Sequence, residues 1–199
     1  LGKMTPDQLA ALKEQGVSIA MAGTLGVAEQ AMEQGFTVWG DYGLGVYNSQ
    51  SLKELKRLGF AGCTASFELK LAQIRDLSKA VPMELIAYGR LPLMITENCI
   101  VYNHAGQHVC GDGLRLVDRK GARFPVVKAW GCRNEILNAK TLFLADKAAD
   151  YARLGLWGAR LMFTTESPED CVRILRRYQG QRGWQPGDYT RGLYYRDVE

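Results

Sequence analysis

Short apolar runs alternate with amphipathic stretches across residues 17–88, and the connections between them are only a few residues long. This alternation limits the fold more than any other feature of the chain. Apolar runs at 17–22, 36–39, 60–66 and 83–88 have strand length. Between them, 23–35, 50–58 and 68–79 carry helical spacing, with Leu52, Leu55 and Leu58 on one face. Capping chemistry marks the helix starts: Thr5 before Pro6, Asn48 before 50–58, and Ser167 before Pro168. Strand, helix, strand with tight connections is the pattern of right-handed βαβ units on a parallel sheet. The theme resumes with a helix expected over 141–154, a strand over 159–163 and a helix from Ser167 to Gly180. About four or five such strands are countable, whereas a closed (βα)₈ barrel needs eight. The expected fold is therefore α/β. It is a partial TIM-like barrel, roughly the second half, occupying residues 1–180 with an inserted hairpin and loop region. An irregular Arg- and Tyr-rich tail follows over 181–199.

The interruption lies between the strand at 83–88 and residue 141. A hairpin is expected there, with strands over 114–118 and 123–127 and a turn at Arg119, Lys120 and Gly121. Three of the five cysteines, Cys99, Cys110 and Cys132, lie in this stretch. An odd cysteine count without a signal-peptide layout argues against a disulfide framework and for a reducing, cytoplasmic setting. No apolar run has the length needed to cross a bilayer. Leu1 in place of an initiator Met favours excision from a longer protein.

Thiolates are soft ligands suited to iron–sulfur clusters or zinc. Cys99, Cys110, Cys132 and Cys171 are the candidate set. Cys171 is placed in the first turn of a helix that follows a strand, the end of a barrel strand where active sites lie; packing as a small hydrophobe is its alternative. A competing zinc set is Cys99, His104, His108 and Cys110. Cys63, inside an apolar strand, is expected in the core. Glu84 and Glu97 are the candidate acid–base carboxylates. A Glu between apolar strand residues needs a partner or a function, and an ion pair with Arg90 is the structural alternative. Asp41 and Asn48 flank a strand end, as turn and cap chemistry would also place them.

The net charge of +4 is mild, but the basic residues cluster. Arg115, Arg119, Lys120, Arg123 and Arg133, with Lys128, follow the hairpin. Arg173, Arg176, Arg177 and Arg182 accompany Tyr178, Trp184 and Tyr189. Cations beside aromatic faces suit RNA, through phosphates and stacked bases, as well as ordinary solvated surface. No GxSxG, HExxH or phosphate-loop motif is present.

Glu84-x-Ile86-x-x-Gly89, Cys99 fifteen positions after the Glu, DRKGARFPV and CRNEILNAKTLFLAD together resemble the collagenase-like U32 peptidase family. The closest resemblance is to its larger bacterial members with a further C-terminal domain. The resemblance covers roughly residues 35–180. It implies a TIM-like barrel whose N-terminal half is missing here. It also implies one of several activities: prephenate-dependent hydroxylation of RNA pyrimidines, oxygen-independent hydroxylation in quinone synthesis, or collagen cleavage. Several members hold a 4Fe-4S cluster on four cysteines. Cys99 matches a signature cysteine, and Cys110 and Cys132 approximate later ones. Pro92 stands where the family commonly has another Cys, and Tyr88 where it commonly has His. The partners expected are RNA, the other barrel half and, through exposed sheet edges, a second copy; a non-catalytic zinc-stapled fragment is the remaining reading.

Overall fold

A computed structural model describes residues 4–107, 113–181 and 183–196. In chain order the elements are α1 (Pro6–Glu14), β1 (Ile19–Ala22), α2 (Leu25–Glu33), β2 (Thr37–Gly40), α3 (Ser49–Arg57), β3 (Gly62–Thr64), α4 (Leu71–Asp76) and β4 (Met83–Gly89). Then come β5 (Pro92–Thr96), α5 (Ile100–Ala105), β6 (Arg115–Val117), β7 (Arg123–Lys128), β8 (Asn134–Leu137) and β9 (Thr141–Phe143). The chain continues with α6 (Ala148–Ala152), β10 (Gly158–Met162), α7 (Pro168–Tyr178) and β11 (Tyr189–Thr190). They form two compact units interleaved in sequence. Among the described residues, one takes 4–87, 144–161 and 191–196, the other 88–107, 113–143, 162–181 and 183–190.

The first, parallel unit is mixed α/β. β1, β2, β3 and β4 pair in order, each parallel to the next, with Ile19 opposite Thr37, Gly40 opposite Cys63 and Thr64 opposite Glu84. β10 pairs with β4. Every residue of β4 is buried, the mark of a central parallel strand covered on both faces. α2 packs on β1 and β2 through Ala28 and Ala31. α3 buries Leu52 and Leu55, the stripe its spacing predicts. The segment expected to be an irregular tail contributes Tyr194 to this core. Its hydroxyl donates to the Ile86 carbonyl at 2.9 Å, and its own carbonyl accepts the Leu71 N–H.

In the second unit β5, β8, β7 and β6 form an antiparallel sheet, with Val126 opposite Ile136 and Leu116 opposite Phe124. The expected hairpin is β6 and β7. β5 and β8 extend it into a sheet where the sequence pattern predicts only loop. The end of β4 pairs antiparallel with β9, and β9 pairs parallel with β11, a strand in the expected tail. Phe143 is ringed by Tyr178, Trp184 and Tyr189 at 5.5–6.1 Å between centroids. Gly89 has φ 133°, and a Cβ there would lie 2.3 Å from the Met162 carbonyl oxygen, so only glycine lets the chain pass.

One expected helix is corrected. Residues 141–154 form β9, a 3-10 turn at Ala145–Lys147 and the short α6. Leu142, Phe143 and Leu144 are each 0% exposed, and one helix face cannot bury three consecutive side chains. Among the described residues no helix is long and apolar enough to cross a membrane.

Candidate functional site

Each unit gathers one chemically loaded group of side chains. In the parallel unit the register that sets Thr64 opposite Glu84 brings the Thr64 hydroxyl to donate to Glu84 Oε1 at 2.7 Å. Arg160, on β10, places Nη1 at 2.6 Å from Asp41 Oδ1 and 3.8 Å from Glu84 Oε1. Asp41 follows β2 directly, and its Oδ1 also accepts the Tyr42 N–H. Four polar groups thus come from the ends or interiors of four strands. One guanidinium lies between two carboxylates, which leaves the cluster with an excess of negative charge. A buried carboxylate costs several kcal/mol without such a partner. The cluster can accept a cationic group.

The alternative of an ion pair between Glu84 and Arg90 is not what forms. Arg90 instead donates to the carbonyls of Asn138 and Ala139. Asp41 does cap a 3-10 turn, as turn chemistry predicts, and it also binds Arg160. Sequence reasoning missed Arg160. Its signal was present, because a lone Arg inside an apolar strand needs an anionic partner as much as Glu84 needs a cation. Cys63, on β3, is fully buried, and its thiol is pushed up to about 12 by burial and then by the Glu84 charge. It stays protonated and belongs to the core.

The second unit brings Cys99 and Cys132 together. Cys99 caps α5, its Sγ accepting the Tyr102 N–H at 3.4 Å, and it is buried. Cys132 closes a 3-10 turn at Trp130–Cys132 with φ 66°, a left-handed conformation that residues other than glycine seldom adopt. The two thiols are in hydrogen-bonding contact. The Cys132 thiol is held above its ordinary value by loss of solvent first, then by Cys99, with Lys128 pulling the other way. Asn134, buried at the start of β8, fixes the arrangement. Its Oδ1 accepts the Ile100 N–H at 2.7 Å, tying the helix after Cys99 to the strand after Cys132. The Ala129 N–H donates to the Arg133 carbonyl and closes the loop around Cys132.

Cys110 and His108 lie outside the described residues. His104 is exposed in the last turn of α5. Cys171 is half-buried in the first turn of α7, where its N–H donates to the Ser167 carbonyl. Among the described residues no three His, Cys, Asp or Glu side chains gather as a metal-holding group. Glu97 is 76% exposed and bonded to Arg133 at 2.8 Å, which engages both in a surface ion pair rather than in the Glu84 cluster. Arg119 and Lys120 occupy the β6–β7 turn, where the Lys120 N–H donates to Asp118. Arg115 and Arg123 line a groove together with Arg90 and Lys128. Comparison with family models, curated proteins and solved structures returned no match to this chain.

Proposed function

We propose that this chain is the second half of a U32-type TIM-like barrel, and that the whole protein is an iron–sulfur-dependent hydroxylase of a pyrimidine base in RNA. The observation that carries this reading is the contact between Cys99 and Cys132. Two thiols separated in sequence by α5, β6 and β7 meet at one point, and one of them holds a backbone conformation that costs energy. Such cost is usually retained where function needs the geometry. Soft thiolates fit a 4Fe-4S cluster. Cys99 and Cys132 would hold it with Cys110; Cys171 is the remaining candidate. When bound, the cluster supplies one-electron chemistry.

Around that pair, Asn134 orients the two thiols. Lys128 favours the Cys132 thiolate. In the parallel unit, Glu84 is the candidate acid–base carboxylate, with Thr64 and Arg160 fixing its direction. Zinc is the second reading. Cys99 at a helix cap and Cys132 in a tight turn both border a small antiparallel sheet, the setting of a structural staple.

Anaerobic purification followed by iron, sulfide and zinc analysis tests both. The hydroxylase reading expects a brown protein with iron and labile sulfide, lost in Cys99→Ser and in Cys132→Ser. A colourless protein carrying stoichiometric zinc, lost in the same variants, transfers the site to the staple. Metal content unchanged in both variants removes both readings.

A further inference from the structure

The strongest unassigned feature is a groove of about 700 Å³ in the second unit, between β6, β7 and the segment leading into α7. That volume suits a ligand of roughly one or two nucleotides and is too small to embrace a duplex. Arg90, Arg115, Arg123 and Lys128 line it, against a single carboxylate, Glu166. That carboxylate is already committed. One oxygen accepts the Tyr88 hydroxyl, and the other accepts the Thr164 and Thr165 N–H groups. It therefore competes poorly for the cations. None of the four cations enters an ion pair among the described residues.

Their arrangement is also ordered. Arg90 is held by the Asn138 and Ala139 carbonyls, so its guanidinium is positioned before any ligand arrives. Arg115 and Pro125 are partners across the hairpin ladder, and Val117 is the partner of Arg123. The two arginines are therefore two residues apart on antiparallel strands, a fixed spacing of positive charge. The walls between the cations are apolar, from Leu114, Pro125 and Val126, and the side chains of Thr164 and Thr165 supply hydroxyls, while that of Ser167 is engaged with Asp170. Spaced cations, hydroxyl donors and an apolar wall match the phosphates, and the sugar or base, of a flexible single strand. A lone small anion would leave most of the volume and the apolar wall unused.

We propose that this groove binds the phosphodiester backbone of single-stranded RNA; the choice of RNA rests on the hydroxylase reading, while the backbone chemistry rests on the groove. The test is fluorescence anisotropy with a labelled oligouridylate over a salt series. The Arg115→Glu/Arg123→Glu double variant is expected to bind at least about tenfold more weakly, with the salt slope reduced by about 2. Lys53→Glu/Lys56→Glu, on α3 in the other unit, makes the same charge change and is expected to bind within about twofold of the parent.

Equal loss in both variants, undiminished binding by the groove variant, or no binding by the parent protein overturns the proposal. So does displacement of the oligomer by pyrophosphate at equal concentration, because the groove would then be a small-anion site. Iron analysis of the same samples separates the two readings. A groove variant that loses RNA and keeps its iron supports the groove. An iron-free protein whose RNA binding still depends on Arg115 and Arg123 retires the hydroxylase and leaves the groove standing.

Discussion

The polar cluster of the parallel unit and the thiol pair of the second unit join residues that are distant in sequence, but by different means. Glu84 and Thr64 meet because parallel register makes them partners, and Arg160 arrives on a further strand of the same ladder. Backbone hydrogen bonds along the strands hold that geometry, and slipping it by one residue would turn every side chain to the other face. Cys99 and Cys132 meet through a short helix cap and a left-handed turn, pinned by one buried amide, Asn134. The first arrangement is secured by the fold as a whole. The second depends on a few local contacts, and the metal proposed above would complete it.

Three measurements press on that contrast. The largest effect is expected at alkaline pH. Burial pushes the Cys63 thiol up to about 12 in the folded protein, from an ordinary value of 9.0. Its contribution to stability is therefore complete below about pH 9 and is lost as the pH rises through the folded value. Over the whole interval the loss is at most about 4 kcal/mol, since a tenfold change in proton affinity corresponds to about 1.4 kcal/mol. Tyr88 and Tyr194, also raised by burial, act with the same sign at higher pH. Urea midpoints measured from about pH 8 to 11 check this, and Cys63→Ala is expected to flatten the fall. An identical pH profile in that variant contradicts it.

Next is Arg160→Met, which strands Asp41 and Glu84 without their cation. A loss of about 3 kcal/mol is expected from urea unfolding. Adding Glu84→Gln in that background is expected to recover about 1 kcal/mol, since one stranded charge is then gone. Strictly additive losses would show that the three groups do not act as a unit.

The smallest effect separates the two regions most sharply. With metal chelated, Cys132→Gly is expected to be about 1 kcal/mol more stable than Cys132→Ser, because φ 66° is strained for any side chain. With metal present, the parent protein is expected to be the most stable of the three. A parent no more stable with metal than without it would remove the reason for keeping a cysteine at that position.

The sequence disclosed the parallel unit more readily than the other. β2, β3 and β4 are apolar runs bounded by glycine or proline, and their helices carry caps at Asn48 and Thr24 and stripes such as Leu52 and Leu55. β9 is hidden because Thr141-Leu142-Phe143-Leu144 runs straight into residues with helical spacing, and a short apolar run has no period of its own. β5 escapes notice for another reason: Leu93, Met94 and Ile95 are all exposed, so no alternation marks the strand. The Glu84 site is half visible. Glu84 stands out as a charge in a buried strand, but its partner Arg160 lies 76 positions later, and nothing in the linear order favours it over Arg90. Of the basic residues singled out along the hairpin, Arg133 is bound to Glu97, Arg119 and Lys120 sit at the turn, and only Arg115, Arg123 and Lys128 reach the groove. Which face of a two-stranded ribbon a residue occupies follows from register, and the register was not legible before the structure.

Tyr194 carries a consequence for how the molecule is made. During synthesis the ribosome extrudes residues 4–87 long before this tyrosine exists. Until it emerges, the carbonyl of Ile86 and the amide of Leu71 lack the partners they have in the finished protein. Residues 4–87 cannot finish closing until that later stretch, 108 positions beyond Ile86, latches onto them.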